Sequence, residues 1–345
     1  MIKIGINGFG RIGRAITRII SNSKDIEVAA INDIDNDTKN LSYLLKYDTI
    51  YGKFNHNIEF KKQNIITINR KNINFYSKSL INEVPWSKHE IDLVIDASGV
   101  ENNTLNSKKI LGKKLSKVLI THSPDKNIDY TLIIGVNEKN YDSKKHHVIS
   151  SSICDASALG PVLSQLENKF GIERGYITTL HPRLSYQNLL DGSLKSVSNP
   201  GHNWKNYSLG RDSISNLIPK KTTAVKAVTK CIKNLDGKIS GMSFRVPTSI
   251  VCASDITIKL KSKTSKEIVS NHFKQLSSSK NSIFGYQEEP LVSSDHLGTS
   301  KSVIVDANFT EVIGSNLLKM IIWYDNEWGY SNRVVDIAKF VLNKR

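Results

Sequence analysis

Apolar positions in the first third of the chain alternate between short continuous runs and helical spacing. Residues 2–6 form an apolar run that predicts a strand, and apolar residues within 12–20 then recur at the spacing of a helix. Further apolar runs predict strands at 26–32, 92–97 and 117–121. Strands that alternate with helices indicate a parallel, doubly wound sheet, whose ligands bind at the carboxyl ends of the strands.

The pattern changes near residue 150. A helical pattern follows Cys154, and residues 335–342 predict a closing amphipathic helix. Between them, β-rich segments predict strands at 175–180, 238–246, 252–260, 302–306 and 318–323. Long strands joined by loops are typical of an α+β domain with a mostly antiparallel sheet. We therefore expect an α/β domain over residues 1–153 and an α+β domain over 154–325.

Composition limits the classes of function. The 345 residues contain 48 Lys+Arg and 32 Asp+Glu, a formal net charge of +16, but the lysines are spread along the chain without an aromatic-rich recognition motif. We expect a basic surface that attracts anionic metabolites and do not expect nucleic acid as a partner. There is no apolar run long enough for a membrane span, and a strand directly after Met1 leaves no room for a signal peptide, so we expect a cytoplasmic protein. Three scattered cysteines predict neither disulfides nor a bound metal.

A glycine-rich turn follows the first predicted strand. Gly8 suits a tight turn, Gly10 lets a pyrophosphate approach the backbone, and Gly13 allows the helix to pack closely on the strand. The free N–H groups at the start of the helix then face the anion. Asp33, at the end of the second strand, can bind a ribose diol and would repel a 2′-phosphate, while Ile34 after it is not basic. These residues predict a Rossmann dinucleotide-binding domain that prefers NAD.

Cys154 and His181 are candidates for nucleophilic catalysis. Cys154 comes directly before an apolar helical pattern, and a thiol at a helix N-terminus can be held as the thiolate. His181 ends a predicted strand, from which an imidazole could activate a thiol. Taken singly, each residue is also explained by a structural role, as a small buried apolar side chain or a core histidine. Sequence spacing alone does not place them in contact.

These segments, in order and spacing, resemble the glyceraldehyde-3-phosphate dehydrogenase family from Met1 to the C-terminal helix. The similarity is carried by Asn7 to Arg14, Asn32-Asp33, the Cys154 segment, Thr179-Leu180-His181, Gly241 to Thr248, and Trp323 to Arg333. The last string is especially specific. In this family the C-terminal helix returns to the cofactor domain, which here implies residues 326–345, and the usual assembly is a homotetramer.

The resemblance implies a role for each matching position. Cys154 would attack an aldehyde to form a thiohemiacetal, and His181 would be the base that assists hydride departure to nicotinamide and gives a thioester. The implied NAD contacts are Arg11, Ile12, Asp33, Ser98, Thr121 and Asn326. Of these, Asn326 would orient the nicotinamide carboxamide. The implied substrate and phosphate ligands are Arg245, Thr222, Thr223 and Ser185.

The departures from the family pattern lie near the residues that the resemblance implies in catalysis and in phosphate binding. Asp155 replaces a family threonine whose hydroxyl contacts inorganic phosphate, and its carboxylate either points into the site or turns outward at the helix N-terminus. Leu184 and Tyr186 replace two further threonines, and Ser208, in the loop 202–211, replaces a family arginine. Both anion sites are therefore expected to be remodelled, whereas the nucleophile, base and cofactor residues are kept.

Three hypotheses remain open at this point. The first is NAD-dependent oxidation of a phosphorylated aldehyde, with glyceraldehyde 3-phosphate and inorganic phosphate giving 1,3-bisphosphoglycerate and NADH. The second is a dehydrogenase of another sugar-phosphate aldehyde in which water cleaves the thioester. The third is a paralogue that binds NAD or nucleic acid with weak or no catalysis.

Overall fold

The computed structural model describes residues 1–62, 64–193 and 206–343. The chain forms two compact units, Met1–Ile153 with Tyr330–Arg345, and Cys154–Gly329. The first part of the loop 202–211, up to residue 205, lies outside the described residues. No helix in the described part of the chain is long and apolar enough to cross a membrane.

The first unit alternates strands and helices as the apolar pattern predicts. Its elements are β1 (Ile2–Asn7), α1 (Arg11–Ser21), β2 (Ile26–Asn32), α2 (Thr38–Lys46), β3 (Ile58–Lys62), β4 (Ile65–Ile68), β5 (Lys71–Tyr76), β6 (Leu93–Asp96), α3 (Glu101–Asn106), β7 (Lys117–Ile120), β8 (Tyr130–Thr131) and β9 (Val148–Ser150). Short 3-10 turns occupy several of the connections.

The sheet of the first unit has nine strands among the described residues, in the order β3-β4-β5-β2-β1-β6-β7-β9-β8. Pairing is parallel from β5 to β8, and β3, β4 and β5 pair antiparallel at one edge. The central strands are covered on both faces, so that Ile4, Ile6, Val94 and Ile95 are all fully buried. The predicted Rossmann-type sheet is confirmed.

The second unit is built on long strands. Its elements are α4 (Cys154–Phe170), β10 (Ile172–Pro182), β11 (Ile218–Lys221), α5 (Ala224–Thr229), β12 (Ile239–Val246), β13 (Cys252–Leu260), α6 (Lys266–Ser277), β14 (Phe284–Gln287), β15 (Val303–Ile313) and β16 (Leu317–Tyr324), followed by α7 (Trp328–Asn343), which enters the first unit at Tyr330.

The sheet of the second unit runs in the order β11-β12-β10-β13-β16-β15-β14 over the described residues. Only β10 with β12 and β14 with β15 pair in parallel, so the expected mostly antiparallel sheet is confirmed. The side chains of β10 alternate between the two faces of this sheet. We call the face on which Thr179 and His181 are buried the inner face, and the face on which Tyr176 and Leu180 are exposed the outer face.

Candidate active site

The glycine turn between β1 and α1 has the shape that its sequence predicts. Gly8 has a φ of +93°, and a Cβ there would lie 2.5 Å from the backbone nitrogen of Ser98. A Cβ on Gly13 would lie 2.1 Å from the carbonyl oxygen of Gly8, so only glycine lets α1 pack at this distance. A Cβ on Gly10 would meet nothing within 4 Å. The turn therefore leaves open space in front of the N-terminus of α1, which fits a pyrophosphate.

Three of the other predicted cofactor residues lie at the same edge of the sheet, after β2, β6 and β7. Asp33 accepts a hydrogen bond from the backbone N–H of Phe9 at 2.5 Å, which fixes the carboxylate beside the glycine turn. The hydroxyl of Ser98 donates to Asp96 at 2.6 Å, and the hydroxyl of Thr121 donates to the Asp96 carbonyl at 3.1 Å. Carboxyl ends of neighbouring parallel strands thus bring these groups together, as expected for a dinucleotide site.

Arg11 and Ile12 begin α1 directly after the glycine turn. The Arg11 guanidinium pairs with the Asp48 carboxylate at 2.5 Å and lies over the ring of Tyr51. No sequence pattern predicts this ion pair, because Asp48 lies beyond α2 in an irregular segment. Burial raises the pKa of Asp48, but hydrogen bonds from the backbone N–H groups of Tyr51 and Ile50, together with the Arg11 charge, outweigh it and lower the pKa.

A buried polar network that sequence reasoning missed supports this edge. Asn32 donates to Asn7 at 2.7 Å, and Asn7 donates to the Asp96 carboxylate at 2.9 Å. Asp96 is fully buried, and burial raises the pKa of its carboxyl group. The signal available in the sequence was that β1, β2 and β6 each end in a polar side chain after an apolar run.

Cys154 and His181 are brought together in the second unit. Cys154 is the first residue of α4, and His181 lies near the end of β10 with its imidazole on the inner face of the sheet. Cys154 Sγ lies 3.9 Å from His181 Nε2. The other ring nitrogen, Nδ1, lies 2.8 Å from the carbonyl oxygen of Pro182. When Nδ1 donates to that carbonyl, Nε2 carries the lone pair that faces the thiol.

The environment keeps both groups neutral. Burial and the nearby Asp155 carboxylate raise the pKa of the Cys154 thiol well above its ordinary value. Burial and the Arg245 guanidinium lower the pKa of His181 to about 4. In this site burial and the neighbouring negative charge of Asp155 favour the thiol form of Cys154 and so oppose the effect of the helix N-terminus. At neutral pH the pair is a thiol beside an imidazole that can accept its proton.

Asp155 points into the site. It is only 8% exposed, its Oδ1 accepts a hydrogen bond from the Tyr324 hydroxyl at 2.8 Å, and the same oxygen lies 3.8 Å from Cys154 Sγ. Of the two orientations left open by the sequence, the structure shows the inward one. Tyr324 was missed, because 169 residues separate it from Asp155 and only the pairing of β13 with β16 places it there.

Arg245 lies beside His181, since β10 and β12 pair in parallel with these two residues in register. Its Nη2 donates to the Tyr186 hydroxyl at 3.1 Å, and its buried Nε has no hydrogen-bond partner among the described residues. Tyr186, one of the departures from the family pattern, therefore contacts the residue that matches the substrate-phosphate ligand. The Lys220 ammonium, on β11, adds a second positive charge that acts on His181.

The remaining predicted residues lie in other parts of the second unit. Thr222 and Thr223 form the turn between β11 and α5, where the Thr222 hydroxyl accepts from the Ala224 N–H at 3.0 Å. Ser185 lies in the segment after β10. Asn326 precedes α7, is buried, and accepts a hydrogen bond from the Val251 N–H at 3.1 Å.

A Rossmann-type unit with an open glycine turn, together with a unit that pairs a cysteine with a histidine, defines a class: dinucleotide-dependent oxidoreductases with a cysteine at the catalytic site. The sequence model described as glyceraldehyde 3-phosphate dehydrogenase, NAD binding domain, matches residues 2–104, and the model for the C-terminal domain matches residues 153–326. The chain belongs to the glyceraldehyde-3-phosphate dehydrogenase family.

Curated relatives are similar over the whole chain. Glyceraldehyde-3-phosphate dehydrogenase 1 of Bacillus cereus is 38% identical over 345 residues, which cover 100% of this chain and 99% of the relative. Glyceraldehyde-3-phosphate dehydrogenase 2 of Trichormus variabilis is 40% identical over 347 residues, with the same coverage. A chloroplastic glyceraldehyde-3-phosphate dehydrogenase of Arabidopsis thaliana is 38% identical over 98% of this chain and 77% of its own length.

Proposed function

We propose that this protein oxidises glyceraldehyde 3-phosphate with NAD and inorganic phosphate, giving 1,3-bisphosphoglycerate and NADH. The observation that carries the proposal is the contact between Cys154 Sγ and His181 Nε2, 3.9 Å apart, in a chain of this family. The names of the relatives favour this reaction over thioester hydrolysis and over a non-catalytic role. When bound, NAD supplies the hydride acceptor.

Cys154 and His181 divide the chemistry between them. Cys154 Sγ attacks the aldehyde carbon as its thiol proton passes to His181 Nε2, and His181 then gives this proton to the carbonyl oxygen, which leaves a thiohemiacetal and a neutral imidazole. As the hydride leaves the former aldehyde carbon, neutral His181 accepts the hydroxyl proton and a thioester remains. A phosphate oxygen then attacks the thioester carbon, Cys154 leaves as the thiolate, and the proton held by His181 returns to Cys154 Sγ. The lowered pKa of His181, about 4, keeps the imidazole unprotonated for both proton transfers at neutral pH.

Arg245 is the residue we assign to the substrate phosphate. It is buried beside His181, and its unpartnered Nε adds a donor to a guanidinium fork that suits phosphate oxygens. Asp155 opposes any anion nearby, because two like charges about 4 Å apart repel by roughly 4 kcal/mol at an effective dielectric constant of 20. The positive charges of Arg245 and Lys220, which both act on this site, offset that repulsion.

Steady-state formation of NADH tests the proposal. Wild-type protein with glyceraldehyde 3-phosphate and NAD should form NADH continuously only when phosphate is present, and Cys154→Ser should abolish turnover. Cys231→Ser, which alters a cysteine outside the site, is the matched control. Continuous turnover without phosphate would indicate hydrolysis of the thioester, and no NADH from the wild type under any condition would indicate a binding protein.

We also propose that the protein is cytoplasmic and forms a homotetramer. Within the described residues, Cys154, Cys231 and Cys252 form no disulfide, which suits a reducing compartment. The outer face of the second sheet exposes Tyr176 and Leu180, 47% and 40% accessible, on one strand. Apolar side chains exposed together on a sheet face are typical of an interface between subunits. Sedimentation velocity on the purified protein measures the assembly.

A further inference from the structure

The catalytic thiol and two neighbouring side chains form a metal-ligand set. We propose that Cys154, Asp155 and His181 bind Zn²⁺, and that the bound ion blocks the dehydrogenase reaction. The sulfur, one carboxylate oxygen and one imidazole nitrogen all lie within 4.8 Å of one another. The binding rests on this geometry alone, whereas the inhibition rests on the proposed function.

The spacing of the ligand atoms suits a small tetrahedral ion. Zinc bonds of about 2.3 Å to sulfur and about 2.0 to 2.2 Å to nitrogen and oxygen imply ligand atoms about 3.4 to 3.6 Å apart. In the structure Cys154 Sγ lies 3.8 Å from Asp155 Oδ1 and 3.9 Å from His181 Nε2. The carboxylate oxygen and the imidazole nitrogen lie within 4.8 Å of each other, so side-chain shifts of at most about 1.4 Å would complete the three bonds. Cys154 is only half-buried, so solvent can deliver the ion and supply a fourth ligand.

Hydrogen bonds outside the three ligands hold them in the orientation that zinc requires. His181 Nδ1 lies 2.8 Å from the Pro182 carbonyl, an arrangement that leaves Nε2 as the metal-binding nitrogen. The Tyr324 hydroxyl donates to Asp155 at 2.8 Å and fixes the carboxylate beside the thiol. Histidine and carboxylate ligands of zinc commonly have such partners.

The charges at the site permit a dication despite two neighbouring cations. Arg245 and Lys220 both act electrostatically on His181 and oppose positive charge there. A thiolate and a carboxylate together carry two negative charges, so the zinc complex is neutral and its repulsion from the two cations is cancelled to first order. Without Asp155 the set would have two ligands and one negative charge. Asp155 therefore converts the catalytic pair into a chelating site.

The inhibition follows from the identity of the ligands. A sulfur bonded to zinc cannot attack an aldehyde carbon, and an Nε2 bonded to zinc cannot accept a proton. Because the described residues supply three protein ligands rather than four, the ion should be removable by a chelator.

The test uses full-length protein freed of metal with EDTA and then freed of EDTA. Zn²⁺ titrated against a chromophoric chelator should bind at one ion per chain, and NADH formation should fall and return on adding EDTA. Co²⁺ in place of Zn²⁺ should give a thiolate-to-cobalt absorption band with the visible bands of a tetrahedral ion. A cobalt complex without the thiolate band would overturn the proposal.

Single substitutions locate the site. Asp155→Asn, which keeps an acceptor for Tyr324, should weaken Zn²⁺ binding by about tenfold or more, since even loss of an outer hydrogen-bond partner costs that much. Cys154→Ser should abolish the cobalt thiolate band, and Cys231→Ser should bind like the wild type. Equal zinc affinity in wild type and Asp155→Asn would refute the three-ligand site. Absence of NADH formation by the metal-free wild type would instead contradict the proposed function and leave the binding result standing.

Discussion

At the scale of single residues, the groups around the Cys154 thiol determine the electrostatics of the site. Cys154 is flanked by the neutral imidazole of His181 and by a carboxylate and a guanidinium, whose charges have opposite effects on the pKa of the thiol. The sequence identified Cys154 and His181 as candidates, but it could not give their protonation, which depends on burial and on Asp155. The residue that departs most from the family pattern is thus the one that changes the electrostatics of the nucleophile.

Asp155→Asn should make Cys154 more acidic. Burial and the Asp155 charge both raise the pKa of Cys154, so removal of that charge lowers the pKa of the thiol. The pH dependence of iodoacetamide modification at Cys154, followed by mass spectrometry on metal-free protein, should shift to lower pH. A midpoint that stays in place or rises would show that the carboxylate does not act on the thiol.

His181→Asn should slow the reaction and leave Cys154 in place. Loss of a general base typically costs about 10²- to 10⁴-fold in rate. The rate of NADH formation in a stopped-flow experiment measures this loss, and binding of NAD, measured by fluorescence quenching, should remain as in the wild type. A loss smaller than about tenfold would argue against proton transfer through Nε2.

At the scale of elements, local patterns predicted more than long-range pairings did. The β1-α1-β2 segment was predicted within one or two residues, because continuous apolar runs and a glycine turn define it locally. The strands β3, β4 and β5 were missed, since Lys and Asn interrupt their apolar residues at an antiparallel edge. The contact of His181 with Arg245 requires the parallel pairing of β10 and β12, which no local pattern specifies.

The glycine turn permits a matched pair of substitutions. Gly13→Ala should reduce the free energy of unfolding by about 1 to 3 kcal/mol, because its Cβ would collide with the Gly8 carbonyl. Gly10→Ala meets no atom within 4 Å and should change stability by less than about 1 kcal/mol. It should nevertheless raise the dissociation constant for NAD about tenfold, because the methyl group enters the space of the pyrophosphate. Urea unfolding measures the change in stability, and NAD titration measures the change in affinity. Equal losses of stability in both variants would contradict the assignment of Gly13 to helix packing and of Gly10 to the pyrophosphate site.

At the scale of the whole molecule, two units with different sheets carry different functional groups. The first presents polar groups at the carboxyl edge of a parallel sheet, and the second places its reactive groups on the inner face of a mostly antiparallel one. The sequence predicted both sheet classes because the period of the apolar pattern changes near residue 150. It could not predict which face of the second sheet stays uncovered.

Tyr176→Glu should reduce the sedimentation coefficient of the protein. A carboxylate on the outer face of the second sheet would be buried without a partner in an interface between subunits. Ile268→Glu, at a similarly exposed apolar position on α6, is the control and should sediment like the wild type. Unchanged assembly in Tyr176→Glu would exclude this face as the contact.

The central claim is that Cys154 forms a thioester while NADH is released. Rapid mixing of metal-free protein with NAD and glyceraldehyde 3-phosphate, without inorganic phosphate, should give a burst of about one NADH per chain. Mass spectrometry of the quenched protein should find the acyl group on the Cys154 peptide, and added phosphate should discharge it. A burst without acylation of Cys154, or an acyl group on another residue, would contradict the account.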